Sequence, residues 1–183
     1  MTAIGPGVQE HLRRWTSEAG GAEPSRLDRT LVHKREEENV FVSRIERIAG
    51  EDDSFLAQLA LSTDHRFFFE HPLDHYPGLM LVEAGRQSAT ALTHLFYGVP
   101  LGSVFILGGM MIDFDSFAEL GEPVFALCKV SDKVIRHGQL AGMFSEGVFI
   151  QFGKPIGKMT GRWQIYERRV IERMRSVAQA ERR

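Results

Sequence analysis

The side chains best suited to acid–base chemistry or anion binding lie along one mostly apolar segment, residues 79–97. Six polar residues recur there at three- and four-residue spacing, which places them along one side of a helix: Glu83, Arg86, Gln87, Thr90, His94 and Tyr97. Because unpaired polar groups are costly to bury, such a line needs partners. It indicates either structural hydrogen bonds or the lining of a cavity.

Glu83 is the strongest single candidate for acid–base catalysis. It lies in the second turn of the predicted helix, close to an apolar loop. Burial there would raise the pKa of its carboxyl group toward the range of a general acid or base, although the helix N-terminus would oppose that rise. The alternative is a pair within the helix, with Arg86 or with Gln87, and the spacing allows both interpretations.

The loop that leads into this helix, residues 64–78, contains three Phe, three His and two Pro. His71 is either a catalytic base or a hydrogen-bonding residue that orders the loop. His71 and His75 are four residues apart, but Pro72 and Pro77 keep them off one helical face. We therefore expect no metal site and no cofactor.

Composition excludes several classes of protein. The chain has 183 residues, 43% of them hydrophobic, and a formal net charge of -2, which is typical of one globular domain and not of a nucleic-acid-binding protein. The single cysteine, Cys128, cannot form an intrachain disulfide. Because no signal-peptide pattern and no 18-residue apolar run is present, we expect a cytoplasmic protein that does not enter a membrane.

The order of predicted elements favours an α+β fold. Residues 1–28 form an N-terminal extension, with a short helix at Val8–Trp15 and a linker at 22–28, and residues 29–183 form one domain. Within it we predict a helix at 79–97, a C-terminal helix at 166–180 and a turn at 153–155. The predicted strands are 31–33, 40–48, 55–61, 104–111, 124–135, 139–152 and 158–165. Strands and helices do not alternate, so a long antiparallel sheet around one helix is favoured.

A long motif resembles the A-factor biosynthesis (AfsA-type) hotdog family. It runs Phe-Phe-Glu-His-Pro-Leu-Asp-His-Tyr-Pro-Gly over residues 68–78 and continues as Glu-Ala-Gly-Arg-Gln over 83–87. Shorter segments at 32–34, 97–100 and 153–155 are also similar, so the resemblance covers residues 28–175. Segments 75–87 and 114–124 resemble, more distantly, the hydroxyacyl-carrier-protein dehydratases. The resemblance implies a hotdog fold, in which the sheet wraps round the central hydrophobic helix.

The resemblance also implies an activity. The family transfers a β-ketoacyl group from acyl carrier protein to the hydroxyl group of dihydroxyacetone phosphate, during γ-butyrolactone synthesis. This implies an acyltransferase of secondary metabolism that uses a carrier-protein or acyl-CoA thioester and a small phosphorylated or hydroxylated acceptor. The family's synthases carry two hotdog units per chain, whereas this sequence has one, so a homodimer is implied.

The implied site residues follow position by position. Glu83 stands at the dehydratase helix carboxylate and His71 at their loop histidine, which makes both catalytic candidates. Arg86 stands where dehydratases have a small residue, and an arginine there can hold a phosphate through two hydrogen bonds. The helix N-terminus would polarise the thioester carbonyl. The other candidate substrate-binding residues are Arg66, His75, Tyr76, Gly78 and Gln87.

Two alternatives stay open. One is a dehydratase or thioesterase on carrier-bound acyl chains, and the other is a non-catalytic hotdog module that binds acyl groups or acts as a scaffold. The thirteen Phe residues are compatible with all three functions, because they indicate a strongly apolar interior or a lipophilic pocket.

Overall fold

The core of the protein is a six-stranded antiparallel sheet with the strand order β1-β2-β4-β5-β6-β3. The computed structural model describes residues 4–18 and 25–180, so part of the predicted linker, residues 22–24, lies outside the described residues. The strands are β1 Val42–Arg47, β2 Ser54–Leu59, β3 Val104–Phe114, β4 Phe125–Arg136, β5 Gln139–Gln151 and β6 Lys154–Tyr166. The helices are α1 Pro6–Glu18, α2 Gly78–Tyr97 and α3 Arg168–Ala180, with a 3-10 turn at Glu37–Asn39. The predicted α+β class is confirmed.

Helix α2 packs against one face of the sheet and is mostly buried, as its composition predicts. At Gly85 the helix comes so close to the sheet that an added Cβ atom would lie 2.8 Å from the Met159 sulfur and 3.2 Å from the Phe149 ring. The cavity left beside Gly85 has a volume of about 20 Å³, room for roughly one water molecule. The contact between helix and sheet is therefore nearly filled.

Helix α1 packs on the opposite face of the sheet. Its apolar side chains Val8, Leu12 and Trp15 form a second core with sheet residues that include Phe125 and Ile150. Because the sheet is covered on both faces there, all six residues of β2 are buried. The short helix predicted at Val8–Trp15 is thus confirmed, with one additional turn.

The turn predicted at residues 153–155 is wrong by one position. The β5–β6 turn consists of Phe152 and Gly153, both with positive φ (51° and 69°), as a two-residue hairpin turn of type I′ requires. Lys154 and Pro155 already belong to β6. This strand tolerates Pro155 because β3 pairs with β6 only from Gly157 onward, which leaves one side of the strand free at the proline.

The strand predicted at residues 31–33 is also wrong, because a turn occupies this segment. The Asp28 carboxylate accepts a hydrogen bond from the Thr30 backbone N–H (2.8 Å), and the Asp28 carbonyl oxygen accepts one from Leu31 (3.0 Å). The chain then turns back at His33, whose φ of 57° lies in the left-handed region. These local bonds outweigh the apolar pattern of Leu31 and Val32.

Strand β3 forms one edge of the sheet and is unusually exposed. It pairs with β6 along one side only, and apolar side chains along it face solvent: Ile106, Leu107, Met110, Met111 and Phe114. Met111 is the most exposed of these, at 65%. Within the described ranges, no helix is both long enough and apolar enough to cross a membrane.

Candidate functional site

Three consecutive residues of the turn before β1 each contact a polar residue of helix α2. The Val32 carbonyl oxygen accepts a hydrogen bond from Arg86 (3.2 Å), and Lys34 forms an ion pair with Glu83 (2.7 Å). His33 lies between them and contacts His94, with 3.1 Å between the two Nε2 atoms. We call Val32–Lys34 the clamp segment. It supplies partners for Glu83, Arg86 and His94, three of the six residues of the polar line on α2.

Glu83 is fully engaged by hydrogen bonds. Its carboxylate accepts two from Arg86, both at 2.8 Å, and one from Gln87 at 3.0 Å, in addition to the ion pair with Lys34. Burial favours the neutral acid, but these partners outweigh it and lower the pKa of Glu83 to about 2. The shift is opposite to the one expected from burial alone. Glu83 is thus a carboxylate at neutral pH, and both pairings considered from the sequence are present.

The cluster formed by Lys34, Glu83 and Arg86 carries a surplus positive charge. Two cations surround one carboxylate, and all three side chains are between 20% and 30% exposed, with 27% for Lys34 and Arg86 and 22% for Glu83. The Nε–Nη2 edge of the Arg86 guanidinium forms two parallel hydrogen bonds with Glu83. A bound anion would therefore be attracted by Lys34 together with the remaining Nη1 side of Arg86, which lies 3.5 Å from Thr90.

Gln87 connects this cluster to the core. It is completely buried, its side-chain oxygen accepts a hydrogen bond from the Phe41 backbone N–H (2.8 Å), and its amide nitrogen donates to the Asn39 carbonyl oxygen (2.7 Å). Asn39 in turn contacts His65 (3.1 Å), whose second ring nitrogen is buried without a partner in the described chain. Gln87 is therefore positioned to hold the cluster in place, while its predicted substrate-binding role stays a prediction.

His33 of the clamp segment and His94 of α2 form an ordered pair. His94 also bonds to the Val99 carbonyl oxygen through Nδ1 (2.6 Å), and the Phe105 ring packs against both imidazoles, with centroids 5.4 Å apart in each case. The pKa of His33 is lowered by its partial burial and by the nearby His94 and Arg86. Sequence reasoning placed His94 on the polar line and missed His33, because the two are 61 positions apart.

The leading loop, residues 64–77, presents its polar groups differently. Arg66 and His71 are exposed. His75 bonds to the neighbouring Asp74 (2.6 Å) and packs against the Phe117 ring. In the described part of the chain no hydrogen bond or ion pair joins these three residues to Glu83 or Arg86. Their assignment as site residues stays a prediction.

Two further predicted residues lie close to the start of α2. Tyr76 is buried, and its hydroxyl accepts a hydrogen bond from the Gly121 backbone N–H (3.4 Å). Gly78 lies under the Phe114 ring, since an added Cβ atom there would be 2.7 Å from the ring. Phe114 thus covers the helix N-terminus, where the thioester carbonyl was expected to bind.

Other reactive groups do not form a second centre among the described residues. Cys128 is buried within the sheet, and burial raises the pKa of its thiol to about 12, so it stays protonated. Over residues 4–18 and 25–180, no group of three or more His, Cys, Asp or Glu side chains has the arrangement of a metal site.

Comparison with known proteins gives concordant matches. The sequence pattern described as the A-factor biosynthesis hotdog domain matches residues 15–167. A relative from Streptomyces virginiae, named 2-oxo-3-(phosphooxy)propyl 3-oxoalkanoate synthase, is 35% identical over 66 residues, which is 36% of this chain and 20% of the relative. A relative of the same name from Streptomyces griseus is 35% identical over 77 residues, which is 42% of this chain and 25% of the relative. The matched segments thus span a quarter or less of these curated relatives.

Among solved structures, a putative thioesterase from Ralstonia eutropha JMP134, a phenylacetic acid degradation-related protein, is similar. Its TM-score is 0.49 at 18% sequence identity, and the match covers 66% of this chain and 83% of that one.

Proposed function

The chain belongs to the family of A-factor biosynthesis hotdog domains, and on this basis we propose that it is an acyltransferase that uses acyl thioesters. The reaction is transfer of a β-ketoacyl group from an acyl carrier protein, or from coenzyme A, to the hydroxyl group of a small phosphorylated acceptor such as dihydroxyacetone phosphate. The name of the two Streptomyces relatives describes a 3-oxoalkanoate ester of a phosphooxy-oxopropyl group. That name supports both the acyl group and the acceptor.

The observation that carries this proposal is the surplus positive charge of the Lys34–Glu83–Arg86 cluster. The carboxylate of Glu83 neutralises one of the two cations and fixes their positions. The other charge is available to an anionic substrate at a partly exposed site, where it attracts a phosphate group more strongly than it would in water. In this arrangement Glu83 orders the site as a carboxylate, and a different group accepts the proton of the acceptor hydroxyl.

Assembly through strand β3 is part of the same proposal. An 11-residue edge strand with exposed Met110, Met111 and Phe114 presents unpaired backbone groups and an apolar surface, which a second copy of the chain can cover. We expect a homodimer with twice the 20.7 kDa mass of one chain. Light scattering should show this mass for the wild type and the single-chain mass for Met111→Lys.

The direct test is product analysis. The protein is incubated with a β-ketoacyl carrier protein or β-ketoacyl-CoA and with dihydroxyacetone phosphate, and the products are identified by mass spectrometry. We expect the phosphorylated ester and one equivalent of free thiol. A free acid formed without the acceptor would instead indicate a thioesterase, and an α,β-unsaturated thioester a dehydratase. Binding without turnover would identify a non-catalytic module.

A matched pair of variants tests the role of the cluster. Lys34→Ala removes the surplus charge, so we expect the KM for the phosphorylated acceptor to rise by about tenfold or more. Lys158→Ala is the control, because Lys158 pairs with Glu146 (3.0 Å) on the sheet, away from the clamp segment. An unchanged KM in Lys34→Ala would contradict the assignment of the cluster as the acceptor site.

A further inference from the structure

We propose that His33 and His94 form the proton-accepting pair of this site, with His33 taking the proton from the acceptor hydroxyl and His94 positioning it. The inference deepens the proposed acyl transfer and rests on it. It answers the question that Glu83 leaves open, because a carboxylate held by Arg86, Lys34 and Gln87 is a weak base.

The hydrogen bonds determine which nitrogen carries each proton. The Val99 carbonyl can only accept, so the Nδ1 of His94 must donate to it (2.6 Å). In neutral His94 the Nε2 atom then carries the lone pair, and it accepts the hydrogen bond from Nε2–H of His33 at 3.1 Å. Neutral His33 is left with its lone pair on Nδ1. His94 thus orients His33, and a base that is oriented by a neighbouring group in this way can activate a hydroxyl nucleophile.

The neighbours of His33 keep its imidazole neutral at physiological pH, so that it can accept a proton. Partial burial lowers its pKa, and so do His94 and Arg86 on α2 and Arg168 at the start of α3, whereas a hydrogen bond with the Leu101 backbone acts in the opposite direction. This environment favours the free base before the reaction and release of the proton after it.

The pair is held at a defined position beside the anion-binding cluster. The two residues that flank His33, Val32 and Lys34, are bonded to Arg86 and Glu83, so His33 cannot shift along the helix independently. Its left-handed backbone conformation directs the side chain toward α2 in a turn that few non-glycine residues adopt. His33 is nevertheless exposed, which leaves it accessible to a substrate.

The proposed step is balanced without a further reactant. The acceptor oxygen attacks the thioester carbonyl carbon as its proton passes to Nδ1 of His33, which gives an imidazolium still hydrogen-bonded to His94. The C–O bond of the ester forms and the C–S bond breaks. The proton then passes from His33 to the departing thiolate, so the products are an ester and a thiol, and both histidines return to their starting state.

The test uses a substitution that preserves the turn. His33→Asn removes the titratable base but tolerates a left-handed conformation. His137→Asn is the control, since His137 is an exposed histidine with a φ of 52° in the β4–β5 turn. With thiol release from a β-ketoacyl thioester and dihydroxyacetone phosphate as the readout, we expect kcat to fall by about 100-fold or more in His33→Asn, with little change in the acceptor KM. The control should match the wild type.

The pH profile separates a catalytic role from a merely structural one. In the wild type kcat/KM should fall as the pH drops through the pKa of His33, and this acidic limb should be absent from the residual activity of His33→Asn. In His94→Gln kcat should fall while the acidic limb persists, because His33 keeps its titratable ring but loses the imidazole that orients it.

The outcomes of this test are distinct from those of the proposed function. If the wild type releases thiol and forms the phosphorylated ester but His33→Asn, folded by circular dichroism, keeps its rate and its pH profile, the histidine assignment is overturned and the acyltransferase stands. If the wild type releases no thiol from any acyl thioester tested, both proposals fail.

Discussion

At the amino-terminal end of α2, the candidate residues Arg66 and His71 of the leading loop are exposed, and His75 bonds to the neighbouring Asp74. Further along the same helix, Glu83, Arg86 and His94 are bonded to a different segment of chain, Val32–Lys34. Both regions contain residue types suited to catalysis. The difference shows that a preorganised site depends on which side chains a second segment holds in place, since positioned groups need no reorganisation during the reaction.

The largest effect that separates the two regions should be seen in activity. Arg86→Ala removes the partner that orders Glu83, so we expect kcat/KM to fall by about 100-fold or more. His71→Ala in the leading loop should change it by less than about threefold, because His71 is exposed. Steady-state thiol release measures both. A large loss at His71 with little loss at Arg86 would instead place the reaction at His71, which the dehydratase resemblance names as catalytic together with Glu83.

The next largest effect is a pH dependence of stability that Glu83 should cause. Its pKa is about 2 in the folded protein against 4.5 ordinarily, so its contribution is fully present above pH 4.5 and is lost as the pH falls from 4.5 to about 2. The shift corresponds to about 3 kcal/mol of unfolding free energy. Urea unfolding over this range should show a shallower loss for Glu83→Gln than for the wild type.

Glu146→Gln is the matched control for that experiment. Glu146 also pairs with a lysine, but it is more exposed than Glu83, and the control should keep the wild-type slope. Equal slopes in Glu83→Gln and the wild type would show that Arg86, Lys34 and Gln87 do not hold Glu83 ionised in solution.

A smaller effect is expected where Gln87 joins the cluster to the core. Gln87→Leu leaves the buried Phe41 N–H and the Asn39 carbonyl oxygen without their partner, which should lower the unfolding free energy by about 2 kcal/mol. The exposed Gln164→Leu should change it by less than about 0.5 kcal/mol. Chemical denaturation measures both, and a neutral Gln87→Leu would mean that the cluster does not need this connection.

The smallest effect compares two glycines of α2. In Gly85→Ala the added methyl group meets the buried Met159 and Phe149, so we expect a loss of about 1 kcal/mol despite the better helix propensity of alanine. In Gly78→Ala the obstacle is Phe114, which is 45% exposed and can move, so stability should be nearly unchanged. Thermal unfolding of the two variants tests whether the amino-terminal end is the more adaptable one.

Local pattern was sufficient for most of the helices and strands and insufficient for the contacts between them. The predicted helix at 79–97 agrees with α2 because its apolar residues recur at helical spacing and Gly98, with a φ of 65°, ends it. The pairs Glu83–Arg86 and Glu83–Gln87 could also be predicted from the sequence, since their members lie about one helical turn apart. The contacts of Lys34 and His33 with α2 could not be predicted, because the periodicity of one segment does not specify which distant turn packs against it.

The clamp segment itself was misinterpreted for a related reason. Leu31 and Val32 are apolar, as a short strand requires, but the side chain of Asp28 captures the Thr30 N–H and turns the chain. Tertiary packing then places Val32 in the core and leaves His33 and Lys34 beside the helix. The resemblance included residues 32–34 as a segment similar to the family, and only the structure shows what they contact.

The packing of α1 on the sheet has a practical consequence for protein production. A truncated chain that starts at the family match, residue 15, would lack Val8 and Leu12 and would uncover Phe125, Val148 and Ile150. A newly exposed apolar patch of this kind promotes self-association. Shortened versions of this domain should therefore aggregate unless they retain the first helix, even though that helix lies on the face of the sheet opposite the clamp segment.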